Sequence, residues 1–421
     1  MRYSVLKVDN FLEAVKAVSV AANNNGYMFR VSDKLKDGSV PCVLTAVTKG
    51  VIQATSMFGA TIVQVEVAED GSESKCAELK DFGTTRCLPA KLLNAVTALE
   101  QQNSNMLILL KDNEFVLKTP TAVLPLPYID KLVVDDNPKD LTKIKFDFKK
   151  EDLDRVCRQL NIQSSGKDKL DNISFVYGGD KSFNCYVGSG HLIAKKVLPC
   201  VPVVKGDATV PEMNAFALPV KKLLQIVNTK GESGKVSFTC FLDQAVVRQV
   251  NITYERNVYY MHPTEALAPG YYRMIDTPFE LEYSYVTEAE KMLEAFSIIS
   301  LSEKSEVAVL TPYAGENGAY LSISDLVEKT NIKLPIEEAV NISQESIKSY
   351  LSVFSAAVTP FDGEKVKISL TTPLNGAPVG FAIMEAGTLK VLSTQYASAE
   401  SSEQSEDDSA GEEDSAADTE E

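Results

Sequence analysis

The sequence predicts an α+β protein built from three copies of one unit, and three observations carry that prediction. The hexapeptide Lys91-Leu92-Leu93-Asn94-Ala95-Val96 returns 131 residues later as Lys222-Leu223-Leu224-Gln225-Ile226-Val227, and more loosely 127 residues after that as Ser349-Tyr350-Leu351-Ser352-Val353-Phe354. A second apolar pattern precedes each copy: Leu12, Val15 and Val18, then Leu153, Val156 and Leu160, then Leu293, Phe296 and Ile299, with first members 141 and 140 residues apart. Short strand-like runs lie between and behind these patterns. A period near 130 far exceeds the roughly 20–50 residues of a solenoid repeat, so each copy is expected to hold its own core.

The elements follow in order. Met1-Arg2-Tyr3-Ser4-Val5 reads as the start of a strand and not as a signal peptide. Each upstream pattern places apolar residues at i, i+3 and about i+7, one face of an amphipathic helix. Residues 106–110, 115–118, 235–241, 246–254, 307–310 and 365–370 are apolar, β-branched or alternating runs of strand length. Each unit therefore reads as helix, strands, helix, strands. The expected boundaries are 1–140, 141–275 and 276–397, followed by a tail at 398–421.

With 421 residues, 44% of them hydrophobic, the chain has material for three cores of the usual domain size. No apolar run approaches the roughly 20 residues that span a bilayer, so a soluble, cytoplasmic protein is expected, with no membrane partner. Seven cysteines, at 42, 76, 87, 157, 185, 200 and 240, form no C-x-x-C pair, which argues for reduced thiols in or near cores. Net charge is -16, and eleven carboxylates without a Lys or Arg fall between Glu400 and Glu421, leaving -5 for the rest. Rich in Ser, Ala and Gly, the tail is expected to be disordered. It reads as a solubilising appendage, a nucleic-acid mimic that competes for a basic surface, or a partner tether.

Enzyme chemistry has little material. Two histidines, His191 and His262, are too few for a multi-His metal site, and neither suggests a triad. The glycines at Gly178-Gly179 and Gly188-Ser189-Gly190 match neither phosphate-cradling pattern. No catalytic residue, metal or cofactor is expected.

Val187-Gly188-Ser189-Gly190-His191-Leu192-Ile193-Ala194 resembles the A-T-D-G-H-R-L-A segment of the bacterial DNA polymerase III beta subunit, the DNA sliding clamp. Other pieces occur in the family's order. Leu88-Pro89-Ala90-Lys91 is similar to its V-P-A-K helix start, with Leu218-Pro219 and Leu223-Leu224 as the second-domain counterpart. Pro269-Gly270-Tyr271-Tyr272-Arg273 is similar to F-P-D-Y-R-R, and Phe381-Ala382-Ile383-Met384 to the start of Y-V-V-M-P-M-R-L. The resemblance covers about residues 1–396. Gly188-Ser189 replaces T-D, Leu192 replaces Arg, and Glu385 stands in place of Pro, departures that fit a divergent clamp such as one from a large bacteriophage.

The resemblance implies three tandem clamp domains, each with two helices and two small antiparallel sheets, and a head-to-tail homodimer ring around double-stranded DNA. It implies a processivity factor without sequence preference, whose partners are a DNA polymerase and a clamp loader bearing short Leu/Phe-containing peptides. The implied peptide pocket comprises Leu170, Gly190, His191, Ile193, Pro219, Leu223, Leu224, Ala382 and Met384; Leu223 and Leu224 read equally well as core. A sliding surface needs exchangeable phosphate contacts. The candidates are Lys16, Lys91, Arg155, Arg158, Lys221, Lys222, Lys291 and Lys348 on the helical patterns and Lys167 and Lys169 in a loop, each of which also reads as an ordinary solvated cation. Two alternatives stay open: a clamp-like ring serving transcription, repair or checkpoint partners, and a non-ring acidic regulator of nucleic-acid enzymes.

Overall fold

The structure, a computed structural model, describes residues 2–21, 26–31, 40–48, 51–60, 64–67, 73–75, 86–88, 91–100, 105–111, 114–118, 123–126, 140–162, 170–204, 210–301, 306–315, 318–327, 330–343, 345–373 and 379–395. Lys167, Lys169, Cys76 and the acidic tail lie outside these residues. Seven α-helices are present among them: α1 (Val8–Ser19), α2 (Leu92–Glu100), α3 (Lys150–Gln159), α4 (Val220–Val227), α5 (Pro269–Asp276), α6 (Ala289–Ser300) and α7 (Leu351–Val358). Six of them fall where the two repeated patterns predict helices, with strands between and after each pair. Helix α5 is additional: Pro269 sits in its first turn and Pro278 follows its C-cap, Thr277.

The chain divides into two compact units, the first holding residues 1–158, 172–185 and 198–266, the second 159–171, 186–197 and 267–421. In the first, the strand Arg2–Lys7 is central to a six-stranded antiparallel sheet. A nine-stranded sheet runs from Val201–Val203 at one edge to Arg86–Leu88 at the other. Its two repeats join where Asn257–Met261 pairs with Val51–Ala60, Val258 opposite Thr55. Alternation in Thr142–Lys149 buries Ile144, Phe146 and Phe148. These aromatics build a core in which Phe146, Phe175, Phe183, Phe216 and Phe238 stack edge-on or offset, for instance Phe146 on Phe183 at 4.9 Å. Under α1, Phe11, Phe29 and Phe58 form a smaller cluster with centroids 5.9–6.3 Å apart.

In the second unit, α6 and α7 pack together through Phe296 and Phe354, stacked at 5.9 Å. The third upstream pattern is shifted by one residue from expectation. Met292, Ala295, Phe296 and Ile299 are the buried set, and Leu293 is only partly covered. The i, i+3, i+4, i+7 stripe starts at Met292, whose unbranched side chain reaches the core as readily as leucine. Cys42, Cys157, Cys185, Cys200 and Cys240 are buried free thiols, and burial raises their pKa values, for Cys42 to about 12.

Candidate binding surfaces

The segment that carries Gly190 and His191 is a hairpin turn. Strand Ser182–Gly188 leads in, Ser189 N donates to Leu192 O at 2.7 Å, and strand Leu192–Pro199 leads out. Gly190 has ordinary φ and open space around it, so the turn does not require glycine there. Gly188 is the confined one: a Cβ would meet Leu267 and Tyr271 at 3.3 and 3.6 Å. His191 is exposed, and Thr394 N donates to its carbonyl at 3.0 Å.

Register explains which pocket candidates meet. Leu192–Pro199 pairs antiparallel with Leu389–Ser393, which pairs in turn with Ala382–Ala386. One cross-strand row holds Ala194, Val391 and Met384, and the row two residues away holds Leu192, Ser393 and Ala382. The intervening row holds Ile193, Leu392 and Ile383, and therefore faces the other side of the sheet. The turn and the C-terminal strands are thus neighbours in one sheet, but Ile193 does not share a face with Ala382 and Met384. Ala382 and Met384 are fully buried, and Leu170, Ile193 and Leu223 nearly so. Pro219 and Leu224 are partly covered and belong, with Leu223, to the first compact unit.

Helix α5 supplies what sequence reasoning missed. Lys195, two residues beyond Ile193 on the same face, binds Asp276 of α5 at 2.6 Å. Tyr186 Oη donates to the other Asp276 oxygen at 3.0 Å, Lys195 lies over the Tyr186 ring at 5.6 Å, and Tyr186 packs on Tyr272 at 4.5 Å. This clasp holds α5 against the hairpin and leaves Met274 of α5 41% exposed. Pro269 in front of a short aromatic helix was the available signal.

The cation candidates scatter. Lys16, Lys91, Arg155 and Lys221 are exposed, Lys91 one residue before α2. Arg158 is tied to Asp154 at 2.8 Å and Asn228 at 3.2 Å. Lys291 pairs with Glu288 at 2.8 Å. Lys348 is not helical; it lies on strand Ile347–Tyr350, because the third helix starts only at Leu351. Lys222 is half-buried and donates to Val20 O at 2.7 Å, at the carbonyl end of α1, and burial lowers its pKa. Lys16 and Lys222 line one cleft of about 1460 Å³ in the first unit, with Lys230 and Arg256, which no helical pattern had marked. Glu13, Glu232 and Glu255 also line it, and Lys230 meets Glu13 at 2.5 Å. The helices themselves are close to neutral: α4 has two lysines and no acid, α3 balances its charges, α7 has none, and α1, α2 and α6 each carry one excess carboxylate.

No family model matches the sequence, and no curated protein does. Solved structures do. The DNA polymerase sliding clamp from Pseudomonas aeruginosa superposes with a TM-score of 0.66 over 94% of this chain and 100% of its own, at 15% identity. The fold is that of a bacterial DNA sliding clamp. The sliding clamp from Bacillus subtilis matches this clamp fold with a TM-score of 0.67 over 94% and 99% of the two chains, at 13% identity. The beta subunit of DNA polymerase III from Thermotoga maritima matches it at 0.66 over 95% and 100%, at 12% identity. Clamp architecture accounts for the repeated helix pairs and the sheets that run from one repeat into the next. No helix among the described residues is long and apolar enough to cross a membrane.

Proposed function

We propose that this chain is a DNA sliding clamp: two copies of three tandem domains, bounded near residues 140, 275 and 397, close into a ring that encircles duplex DNA and tethers a polymerase. The observation that carries the reading is the clamp fold over 94% of the chain, matched to the full length of solved clamps. A partial ring could not hold DNA by topology, so agreement over the full length matters more than any single motif. Head-to-tail closure is supported by the second unit, where α6 ends on exposed apolar residues, Ile298 at 51% and Leu301 at 82%. Apolar side chains so exposed on one helical turn favour a partner surface, and a heterologous contact repeated twice closes a ring.

Clients would dock where the hairpin meets α5, through Leu and Phe anchors of short peptides. His191 and Met274 offer exposed contact area there, and the unbranched thioether suits several anchors. The deciding experiment measures native mass and retention on circular DNA. A particle of about twice 45.9 kDa that stays on nicked circles once loaded, and leaves when the circle is cut, is expected. Leu301→Asp should shift that mass to a monomer. A monomer at micromolar concentration that is never retained on closed circles rejects the reading.

A further inference from the structure

The strand Thr142–Lys149 turns three apolar residues inward and leaves Lys143, Lys145, Asp147 and Lys149 on its other face. Cross-strand register widens that face. Lys145 stands between Val203 and Thr239, Asp147 between Val201 and Ser237, and Lys149 opposite Lys235. Asp147 serves two ammonium groups, Lys235 at 2.5 Å and Lys145 at 3.7 Å, and accepts Ser237 Oγ at 2.6 Å. Lys143 and Lys149 are exposed, Lys143 lies over the Phe241 ring at 5.3 Å, and neither meets a carboxylate among the described residues. On a chain of net charge -16, two of these four lysines share one acid and the other two meet none among the described residues. The buried rows Phe146 with Phe238 and Phe148 with Val236 fix this register, and it sets Lys149 opposite Lys235, a like-charge pair that costs stability and that Asp147 offsets at Lys235.

Beside the lysines, the edge strand Val201–Val203 exposes Val201 at 61% and Val203 at 47%, on the same face. Ammonium groups next to bare valines select a partner that is both anionic and apolar. A single-stranded nucleic acid is the weaker fit, because the positions across from Lys145 and Asp147 are Thr239 and Ser237, and the aromatic rings on this face are covered, Phe241 buried opposite Lys143 and Tyr260 half-buried beyond Asn251. We propose that this sheet face docks an extended acidic and apolar segment of a partner protein. Its carboxylates meet Lys143, Lys145 and Lys149, and its apolar side chains cover Val201 and Val203. Same-side residues of an extended chain repeat at about 6.6–6.8 Å, the spacing of Lys143 and Lys145, while Lys149 lies beyond Asp147 at twice that spacing. Pro202 withholds a backbone donor, so the segment lies across the face instead of joining the sheet edge. The site is independent of the clamp reading.

Fluorescence anisotropy with a labelled heptapeptide alternating Glu and Leu, added to the full chain, tests the proposal. Saturable binding that weakens with salt is expected, falling at least about tenfold in Lys143→Glu/Lys149→Glu. Val201→Ser/Val203→Ser should weaken it several-fold and leave the salt dependence unchanged. All four side chains are exposed, so both double variants should melt like the unaltered chain; if either melts early, Lys149→Ala supplies the same readout. The proposal is overturned by absent saturable binding, by equal affinity in the variants, or by an oligothymidylate that binds more tightly and displaces the peptide, which would make the face a nucleic-acid surface.

Discussion

Glu282, on strand Leu281–Glu288, is hydrogen-bonded to the carboxylate of Glu345, and that contact, with partial burial and like-charge repulsion, raises its pKa from 4.5 to about 7. The backbone holds the pair in place, since Tyr283 Oη donates to Glu345 O at 2.9 Å. The folded chain therefore keeps a proton that the unfolded chain releases near pH 4.5. Stability from this pair is complete below that pH and is lost as pH rises through about 7. The melting temperature should fall between about pH 5 and pH 8, and Glu282→Gln, which keeps a hydrogen-bond donor without the charge, should flatten that fall. An identical pH profile for the variant would show that the pair has no part in it. Nothing in the sequence marks these two carboxylates, which lie far apart along the chain. Gly380 is equally silent: a Cβ there would overlap the Thr371 carbonyl, whose residue also bonds Phe381 through both backbone and side chain.

At the scale of elements, the Lys195–Asp276 contact helps to hold α5 on the hairpin, beside the Tyr186 hydrogen bond and ring contact. Both side chains are partly exposed, so removing the ammonium should cost about 1 kcal/mol locally, with solvent screening included. Lys195→Met is therefore expected to speed amide exchange in α5 several-fold while global unfolding changes little. Unchanged exchange in α5 would mean that Tyr186 and Tyr272 hold the helix without the ion pair. The amphipathic helices were legible in sequence because a buried stripe must repeat at helical spacing; in α6 the expected Phe296 and Ile299 lie on the stripe, and Met292 takes the place expected of Leu293. The candidate site was legible only in part. The family resemblance singled out the segments at Gly190 and Met384, but the face each side chain takes depends on register with Leu389–Ser393, which local sequence does not encode. Lys348 misled for a related reason, since the third hexapeptide copy begins with two strand residues, Ser349 and Tyr350, before its four helical ones, and Lys348 precedes it on that strand.

For the whole molecule, the charge distribution bears on how DNA would be held. Each phosphate neutralised contributes about -0.9 to the slope of log affinity against log salt, so tight electrostatic binding and steep salt dependence go together. Helices that are neutral overall, with Arg158, Lys222 and Lys291 already committed to partners within the chain, offer few such contacts. A ring with this surface would hold DNA by closure. Binding to short linear duplex is therefore expected to be weak with a shallow salt slope, while the lifetime on closed circles changes less than about threefold between about 50 and 200 mM salt. Cutting the circle should release the protein at every salt concentration. Half-lives measured on circular and linear DNA across that range check this. A lifetime that collapses with salt on intact circles, with a slope typical of many phosphate contacts, would mean that the basic residues hold the DNA and that topology contributes little.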